Sequence, residues 1–530
     1  MNDPGNPPHR TRRPRRGAPL LLLALAAATA LTATTACAGP ARADRSGATG
    51  HPASDASAGA TRAPGDGVGA LEGVWRMDGY GTLVSIRGRA LRTYETTAVS
   101  CLPGSLTGTR SGTPDAHGGR RFTVPDSAPL TVTPDGAGRA RLAIEDNVGR
   151  RTLHRIAALP HRCIQRPARD PRAVFDVFWH TYAENYPFFR AKKIDWAAVR
   201  DRYRPRITAR TSDDELFAIL RSMIEPLHDA HTRVVAGPDR WFAGKRPGTV
   251  LPTAESTARI DRAIAATLGA GTVQHRWAQG KLAYADLPGR IGYFRITQFA
   301  DYTRKGDYAG DVAELDRALN AVFTTARTKG PTALRGLIVD VRLNGGGADP
   351  LGLRIASRLT DRPYLAYRKR ARNDPGDPGA FTTPQPIRIR PYRGPVYTGP
   401  VAVLTGRLTI SAGETFTQSL IGRSPAPTRI GENTQGVFSD ILGRALPNGW
   451  TFGLPNEEFL TADGHTFDGT GIPPTVPAPV FTDQDLSASR DTALTRAKEL
   501  LGGGAVGAGD RRGPGAAGSD APRGGKGGTP

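Results

Sequence analysis

The chain has 530 residues, which allows two or three domains at about 100 to 200 residues per domain. Its 71 Lys and Arg against 49 Asp and Glu give a formal net charge of +22. The charge does not favour nucleic-acid binding, because the basic residues are spread along the chain and form no single stripe. Irregular Gly spacing excludes a collagen-like chain, and the periodic apolar segments described below exclude wholesale disorder.

Residues 1–36 have the pattern of a signal peptide. Five arginines within HRTRRPRRG precede LLLLALAAATAL, an apolar run ending in small residues. A transmembrane helix needs about 20 apolar residues, and this run is shorter and interrupted by Thr. We therefore predict export, and the Arg12-Arg13 pair also allows the twin-arginine route.

Two cleavage patterns overlap after this run. Cys37 follows Thr34-Thr35-Ala36 and resembles a bacterial lipobox, although Thr34 stands where Leu is usual. Ala41-Arg42-Ala43 is an A-x-A site that would release a soluble protein. We favour lipidation of Cys37, which predicts an anchor at the outer face of the membrane, and secretion is the alternative.

Export changes the expectation for the two other cysteines. Cys101 and Cys163 form an even pair in an oxidising compartment, which predicts a disulfide, with two buried free thiols as the alternative. Residues 37–70 are rich in Ala, Gly, Ser, Arg and Pro, and residues 502–530 are rich in Gly and have no aromatic residue. We expect a disordered tether and a disordered tail.

Between these ends, hydrophobic periodicity divides the chain into four regions. Short alternating runs separated by Gly, Pro and Asp predict a small antiparallel β domain, and apolar residues at helical spacing predict a block of three helices. The third helix begins at TSDDEL, where Thr211 or Ser212 can cap it. The predicted regions are the β domain at 71–165, the helical block at 170–235, a connecting region at 236–288 and an α/β core at 289–501.

Strands and helices alternate in the core region. IGYFRI, GLIVDV and PVAVLT are apolar runs that predict strands of a largely parallel central sheet. The segment DVAELDRALNAVFTTA predicts a helix between the first two strands. Residues 373–400 contain seven prolines and predict a surface insertion, LPNGW and TADGH predict hairpin turns, and residues 490–501 predict a closing helix.

Ser411 follows the PVAVLT strand at the start of an amphipathic helix. A hydroxyl there lies at the carboxyl edge of the sheet, where helix N–H groups can stabilise an oxyanion. The alternative is that Ser411 only caps the helix and that Glu414 completes a capping box. Residues 345–347 are GGG after the GLIVDV strand, and Pro350 breaks the dinucleotide pattern, so an oxyanion-binding turn fits better.

Several motifs in this order resemble the tail-specific, or C-terminal processing, serine peptidases, whose core is similar to the crotonase fold. They are FDVFWHTYAENYPFFRAKKIDW, LHDAHTRV, GRIGYFRITQF, GLIVDVRLNGGG, LTISAGETF, IGENTQG and FDGTGIPPT. The resemblance covers residues 171 to 501. It implies a serine peptidase without a PDZ domain, because residues 233–288 span only about two-thirds of one.

The family has two branches that differ in the general base. A Ser and Lys dyad would place its Lys near Val437, but there is no Lys from 412 to 497. The chain therefore resembles the branch of tricorn-core and retinoid-binding-protein-like peptidases. This resemblance implies Ser411 as nucleophile, His231 as base, Asp468 as the carboxylate where Glu is commoner, and the N–H groups of Gly346 and Ala412 as the oxyanion hole.

Other candidates near these motifs have simpler interpretations. His465 is the rival base, because it lies three residues before Asp468, and only the resemblance favours His231 over it. His228 is expected to be a solvated polar residue. Asp340 and Arg342 are expected to be a structural pair at the end of a strand, and no grouping of Cys or His has metal-ligand spacing.

The sequence thus predicts an exported serine endopeptidase that cleaves unfolded proteins or peptides through an acyl-enzyme, without a metal or cofactor. Two other functions stay open. One is an inactive lipoprotein that binds peptides or a hydrophobic ligand, against which the complete set of Ser, His, carboxylate and Gly argues. The other is an esterase or amidase acting on small molecules, which no residue pattern excludes. The sequence does not predict the oligomeric state.

Overall fold

The computed structural model of the protein describes residues 68–503. The predicted signal peptide, Cys37, nearly all of the tether and the tail from residue 504 onward lie outside the described residues. Within this range, no helix is long and apolar enough to cross a membrane.

The N-terminal β domain is a closed barrel of eight antiparallel strands, in which each strand pairs with the next and the last pairs with the first. Its core consists of inward-facing apolar residues such as Trp75, Leu91 and Leu142. Cys101 and Cys163 form the predicted disulfide. A helical turn α1 (Val68–Leu71) precedes the strands β1 (Gly73–Met77), β2 (Thr82–Arg87), β3 (Ala90–Thr96), β4 (Cys101–Ser111), β5 (Arg120–Thr123), β6 (Leu130–Pro134), β7 (Arg139–Ile144) and β8 (Arg151–Ile156).

Three helices follow the barrel, in agreement with the periodicity: α2 (Pro171–Asn185), α3 (Trp196–Tyr203) and α4 (Asp213–Ile224). Ser212 caps α4 and forms a capping box with Glu215. The apolar faces of the helices pack around aromatic residues, and Phe178 and Tyr182 of α2 contact Phe452 of the α/β core. The helical block is therefore packed directly on the core.

The connecting region contains β9 (Arg233–Val235), β10 (Trp241–Ala243), α5 (Ala254–Leu268), β11 (His275–Trp277) and β12 (Leu282–Leu287). The strands β11 and β12 extend the central sheet, so this region belongs structurally to the core. The core continues in chain order with β13 (Ile291–Ile296), α6 (Tyr308–Val322), α7 (Thr325–Thr328), β14 (Gly336–Asp340), α8 (Asp349–Ala356), β15 (Tyr364–Ala371), β16 (Gln385–Ile389), β17 (Val401–Thr405), α9 (Ala412–Ser419), β18 (Thr428–Gly431), β19 (Ile441–Ala445), β20 (Thr451–Pro455), β21 (Glu457–Leu460), β22 (Val476–Pro477), α10 (Asp483–Ser487) and α11 (Thr492–Gly502).

The central sheet has the strand order β11-β12-β13-β14-β17-β18-β22, and its five strands from β13 to β22 are parallel. Alternate residues face opposite layers: Leu337 and Val339 pack towards α6, α8 and α9, whereas Ile338 packs towards α5 and α11. Both faces are covered, which explains the continuous apolar runs of β14 and β17. The structure is thus a multidomain α/β protein with a parallel central sheet, and the crotonase-like assignment stays a prediction.

The prediction of a surface insertion at residues 373–400 is wrong for residues 385–389. Residues Gln385–Ile389 form β16, which pairs with β15 and buries Ile387 and Ile389. Pro386 is compatible with this strand because β16 lies at the edge of a three-stranded sheet, where a missing N–H costs no ladder hydrogen bond.

Candidate active site

Ser411 lies between β17 and α9 in a strained backbone conformation. Its φ is 55° and its ψ is −120°, a region that non-glycine residues rarely occupy. Such strain is typical of functional sites, where the surrounding structure holds the residue in place. The half-buried side chain of Ser411 faces the glycine turn after β14: a Cβ atom at residue 346 would lie 3.2 Å from the Ser411 Oγ.

The glycine turn is fixed by Asn344, which is fully buried. Its side-chain amide donates to the carbonyl of Ile296, and its Oδ1 accepts the N–H of Gly346 at 3.0 Å. The N–H of Gly346 therefore has a partner within the turn. Among the described residues, the N–H of Ala412 makes no hydrogen bond, so it is the donor that has no partner to share with an oxyanion.

Glu414 does more than cap α9. Its buried carboxylate accepts the N–H groups of Gly436 at 2.6 Å, Val437 at 2.8 Å and Ser411 at 3.3 Å. Burial raises the pKa of Glu414 to about 7 despite these hydrogen bonds. Glu414 thus ties the start of α9 to residues 436–437.

His231 lies in the turn that leads from α4 into β9, where only 5% of its surface is exposed. The carboxylate of Asp229 accepts the backbone N–H of His231 at 2.9 Å and the hydroxyl of Tyr186 at 2.9 Å. The Nδ1 atom of His231 is buried and has no hydrogen-bond partner in the described part of the chain. Burial lowers the pKa of His231 below 6.5, against the charges of Asp229 and Asp440, which raise it.

Asp468 lies in the loop after β21, and its side chain is buried. Its carboxyl group accepts the N–H of Phe438 at 3.2 Å and the hydroxyl of Thr466 at 2.7 Å. Burial raises the pKa of Asp468 well above its ordinary value, and the nearby charges of Asp229 and Glu414 raise it further.

One short stretch, residues 436–440 (GVFSD), contacts all three predicted residues, and we call it the linking segment. The carbonyl of Val437 accepts the N–H of Ser411 at 3.1 Å, Phe438 donates to Asp468, and the backbone of Ser439 forms a hydrogen bond with His231. Residues that are far apart in sequence therefore meet around consecutive residues. Within residues 68–503, no direct hydrogen bond joins Ser411 to the His231 ring or that ring to Asp468.

The competing candidates lie elsewhere. His465 is exposed on a hairpin turn with its ring against Phe467, and His228 is also exposed. Asp340 and Arg342 form the expected buried pair, which Asp491 completes. At the position where the dyad branch would carry Lys, Val437 is buried.

The sequence motifs do not single out three charged residues of this region: Asp229, Asp440 and Lys369. Asp229 could have been found, because Asp two residues before His231 in HDAHT has the spacing of a turn that caps the histidine N–H. Lys369 lies on β15 and Asp440 in the loop before β19, and they meet only in the folded chain, where their side chains form a salt bridge at 3.0 Å.

Comparison with known proteins identifies the class. Residues 290–478 match the sequence model of Peptidase family S41, and residues 167–225 match that of the Tricorn protease C1 domain. The protein is thus a serine-type peptidase. This similarity to peptidase family S41 extends over residues 290–478. A search of curated proteins gives no match.

Three solved structures are similar to this chain. A candidate peptidase from Parabacteroides merdae is 26% identical, with a TM-score of 0.51, and the match covers 63% of this chain and 97% of that chain. The photosystem II D1 C-terminal processing protease is 16% identical over 63% of this chain and 98% of that one, with a TM-score of 0.36. The tricorn protease is 15% identical over 83% of this chain and 47% of that one, with a TM-score of 0.38.

Proposed function

We propose that this protein is an exported serine endopeptidase that hydrolyses peptide bonds of unfolded proteins or peptides. Ser411 is the nucleophile, His231 the general base and Asp468 the carboxylate of the triad, and the N–H groups of Gly346 and Ala412 form the oxyanion hole. The observation that carries this proposal is the linking segment, whose consecutive residues bind Ser411, Asp468 and His231.

The electrostatics of His231 support its role as a base. A pKa below 6.5 leaves the imidazole neutral at pH 7, so that it can accept the proton of Ser411. Ser411 then attacks the peptide carbonyl, the amine leaves with a proton from His231, and water assisted by His231 hydrolyses the ester. Catalytic hydrogen bonds often form only when substrate is bound. The lack of a direct hydrogen bond between Ser411, the His231 ring and Asp468 among the described residues is consistent with this.

The position of Ala412 supports its part in the oxyanion hole. Its N–H belongs to the first residue of α9, where backbone donors lack intrahelical partners and the helix dipole favours negative charge. Gly346 would contribute by sharing its N–H between Asn344 and the oxyanion.

The test compares two serines of the same helix region. Wild type, Ser411→Ala and Ser419→Ala are incubated with a fluorophosphonate probe and with an unfolded fluorescent casein. Ser419 is the matched control, since its buried hydroxyl donates only to the carbonyl of Phe416. We expect labelling and cleavage by wild type and Ser419→Ala and neither by Ser411→Ala, with melting temperatures within a few degrees.

Two results would contradict the proposal. Full turnover by Ser411→Ala, with a loss of about 0.5 to 2 kcal/mol in stability, would mean that Ser411 only caps α9. A wild type that takes up no probe and cleaves neither casein nor small esters would favour the peptide-binding alternative.

We also propose export with a lipid anchor at Cys37. The disulfide between Cys101 and Cys163 supports export, because such bonds persist in oxidising compartments. Membrane fractionation and mass spectrometry of the mature N-terminus test the anchor. We expect wild type in the membrane fraction and Cys37→Ser released or unprocessed, whereas a mature N-terminus at Asp44 would replace the anchor by secretion.

A further inference from the structure

Lys369 is a buried lysine at the junction of the barrel and the peptidase core. It lies on β15, and its ammonium group contacts Asp440 at 3.0 Å, Glu457 at 3.1 Å and the carbonyl of Val148 at 3.1 Å. All three ammonium protons thus have an acceptor. Because a buried charge is costly unless it is fully paired, these contacts fix the relative positions of the three groups.

The barrel supplies much of this cluster. Val148 lies in the turn between β7 and β8, and Tyr80, in the turn between β1 and β2, donates its hydroxyl to Glu457. The guanidinium of Arg151 stacks over the Tyr80 ring at 4.7 Å. A domain without a candidate nucleophile therefore contacts Lys369 and one of the two carboxylates that pair with it, Glu457.

The core end of the cluster is the linking segment. The N–H of Asp440 contacts Glu457 at 3.3 Å, and the Ser439 hydroxyl accepts the N–H groups of Asn456 and Glu457 at 3.2 and 3.1 Å. Residues 439–440, which adjoin His231, are thus held by the same groups that the barrel contacts.

The charges identify Asp440 as the ionised carboxylate of the linking segment. Burial acts to raise the pKa of Asp440, but Lys369, Arg151 and His231 lower it below its usual value. Asp146 and Asp349 also face this cluster. The charges facing His231 come from Asp229, Asp440 and Arg233, whereas the pKa of Asp468 is raised by burial.

We propose that Asp440 is a positioning residue for His231 and that the β-barrel, through Tyr80, Glu457 and Lys369, holds Asp440 in place. The barrel is then part of the catalytic apparatus of the enzyme. This inference rests on the proposed function, since it assigns His231 as the base.

The first test is Asp440→Asn in the full chain. We expect kcat on a fluorogenic peptide to fall at least about 10-fold with KM within twofold. The variant also removes a charge that raises the pKa of His231, so the pKa of the His231 ring measured by NMR should fall below its wild-type value. A merely structural role for Asp440 would change the melting temperature but not the His231 titration of the folded protein.

The second test acts from the barrel. Tyr80→Phe removes one hydroxyl that donates to Glu457, and Tyr94→Phe is the matched control, since Tyr94 lies on β3 of the same barrel and its hydroxyl makes no hydrogen bond among the described residues. We expect kcat to fall about 2- to 5-fold for Tyr80→Phe and to stay unchanged for Tyr94→Phe. This pair keeps the proposal testable if Asp440→Asn does not fold.

The outcomes separate this proposal from the proposed function. An active wild type whose Tyr80→Phe and Asp440→Asn variants keep kcat and the His231 titration overturns the positioning role alone. An inactive wild type overturns the proposed function, and the His231 titration then still tests the effect of the Asp440 charge on His231, because it needs no turnover.

Discussion

The side chain of Ser411 packs against the backbone of Gly346 so closely that a Cβ atom at residue 346 would lie 2.7 Å from the Ser411 Cβ. Gly346 also has a φ of +98°, which only glycine adopts without strain. Residue 346 must therefore be glycine for two reasons, the close approach of Ser411 and the positive φ. A glycine there lets the ends of β14 and β17 come together at the carboxyl edge of the sheet.

Gly346→Ala is therefore expected to lower kcat/KM at least about 100-fold, because displacing a nucleophile by about 1 Å can cost that much. Gly345→Ala is the matched control: its Cβ would meet only the Gln298 side chain at 3.4 Å, an ordinary contact. Peptide cleavage and thermal unfolding of both variants provide the measurement. Equal activity of the two variants would contradict the arrangement of Ser411 against Gly346.

The two candidate histidines differ in burial, and their alanine variants should differ in rate. His231→Ala should lower the rate of acylation by about 10²- to 10⁴-fold, the usual contribution of a general base. His465→Ala should change it by less than about threefold, since His465 is exposed on a turn. Stopped-flow labelling with a chromogenic ester gives the acylation rates, and the opposite ranking would exclude His231 as the base.

Local patterns predicted the elements of the core well. The run GLIVDV indicated a strand covered on both faces, and Leu337 and Ile338 do pack into opposite layers. The closure of the barrel was not predictable in the same way, because pairing of β1 with β8 depends on strand twist and register rather than on either strand alone. The strand at residues 385–389 was not predicted, because Pro386 argues against a strand unless the strand is known to lie at the edge of a sheet.

For the site, the sequence identified residues that lie on motifs but not the contacts between them. Nothing in the segment GVFSD indicates that Val437 contacts Ser411 while Phe438 contacts Asp468. The Lys369 cluster was hidden for the same reason, because its members come from the barrel, β15 and the segment before β19. Electrostatic partners of this kind follow from tertiary packing alone.

The ionisation of His231 provides a third prediction. An ionised carboxylate beside the imidazole would move its pKa above about 6.5. In the structure burial is the larger effect and lowers the pKa. Titration of ¹³C-labelled histidine by NMR, with His231→Gln to assign the signal, should therefore give a pKa below 6.5. A value above 6.5 would mean that Asp229 and Asp440 outweigh the effect of burial.

Asp349 should make stability depend on pH. Its buried carboxyl group accepts the Thr415 hydroxyl, and burial, followed by the charge of Asp440, raises its pKa to about 8. The folded state then binds this proton more tightly than the unfolded chain, so its contribution to stability is present at acid pH and is lost as pH rises towards 8. Asp349→Asn removes this dependence.

We therefore expect the melting temperature of Asp349→Asn, relative to wild type, to rise by at least about 2 °C between pH 5 and pH 8. Asp239→Asn, at an exposed position, is the control and should follow wild type at every pH. A relative melting temperature that falls with pH would mean that Asp349 is ionised in the folded protein.

Substitutions of Asp468 test whether this residue is the carboxylate that the family resemblance implies. Its carboxyl group holds Phe438 of the linking segment and is the proposed third member of the triad. Asp468→Asn keeps an oxygen that can accept one hydrogen bond but has no ionisable carboxyl group, so kcat should fall by orders of magnitude without loss of folding. Asp468→Glu restores a carboxylate and should keep more activity than Asn. Steady-state kinetics of both variants, with circular dichroism to verify folding, test this order. An Asn variant as active as wild type would assign the role of the carboxylate to Asp440 or Asp229, because the charges of both already act on His231. Glu457 and Glu458 are less suitable, since they are bound by Lys369 and Arg370.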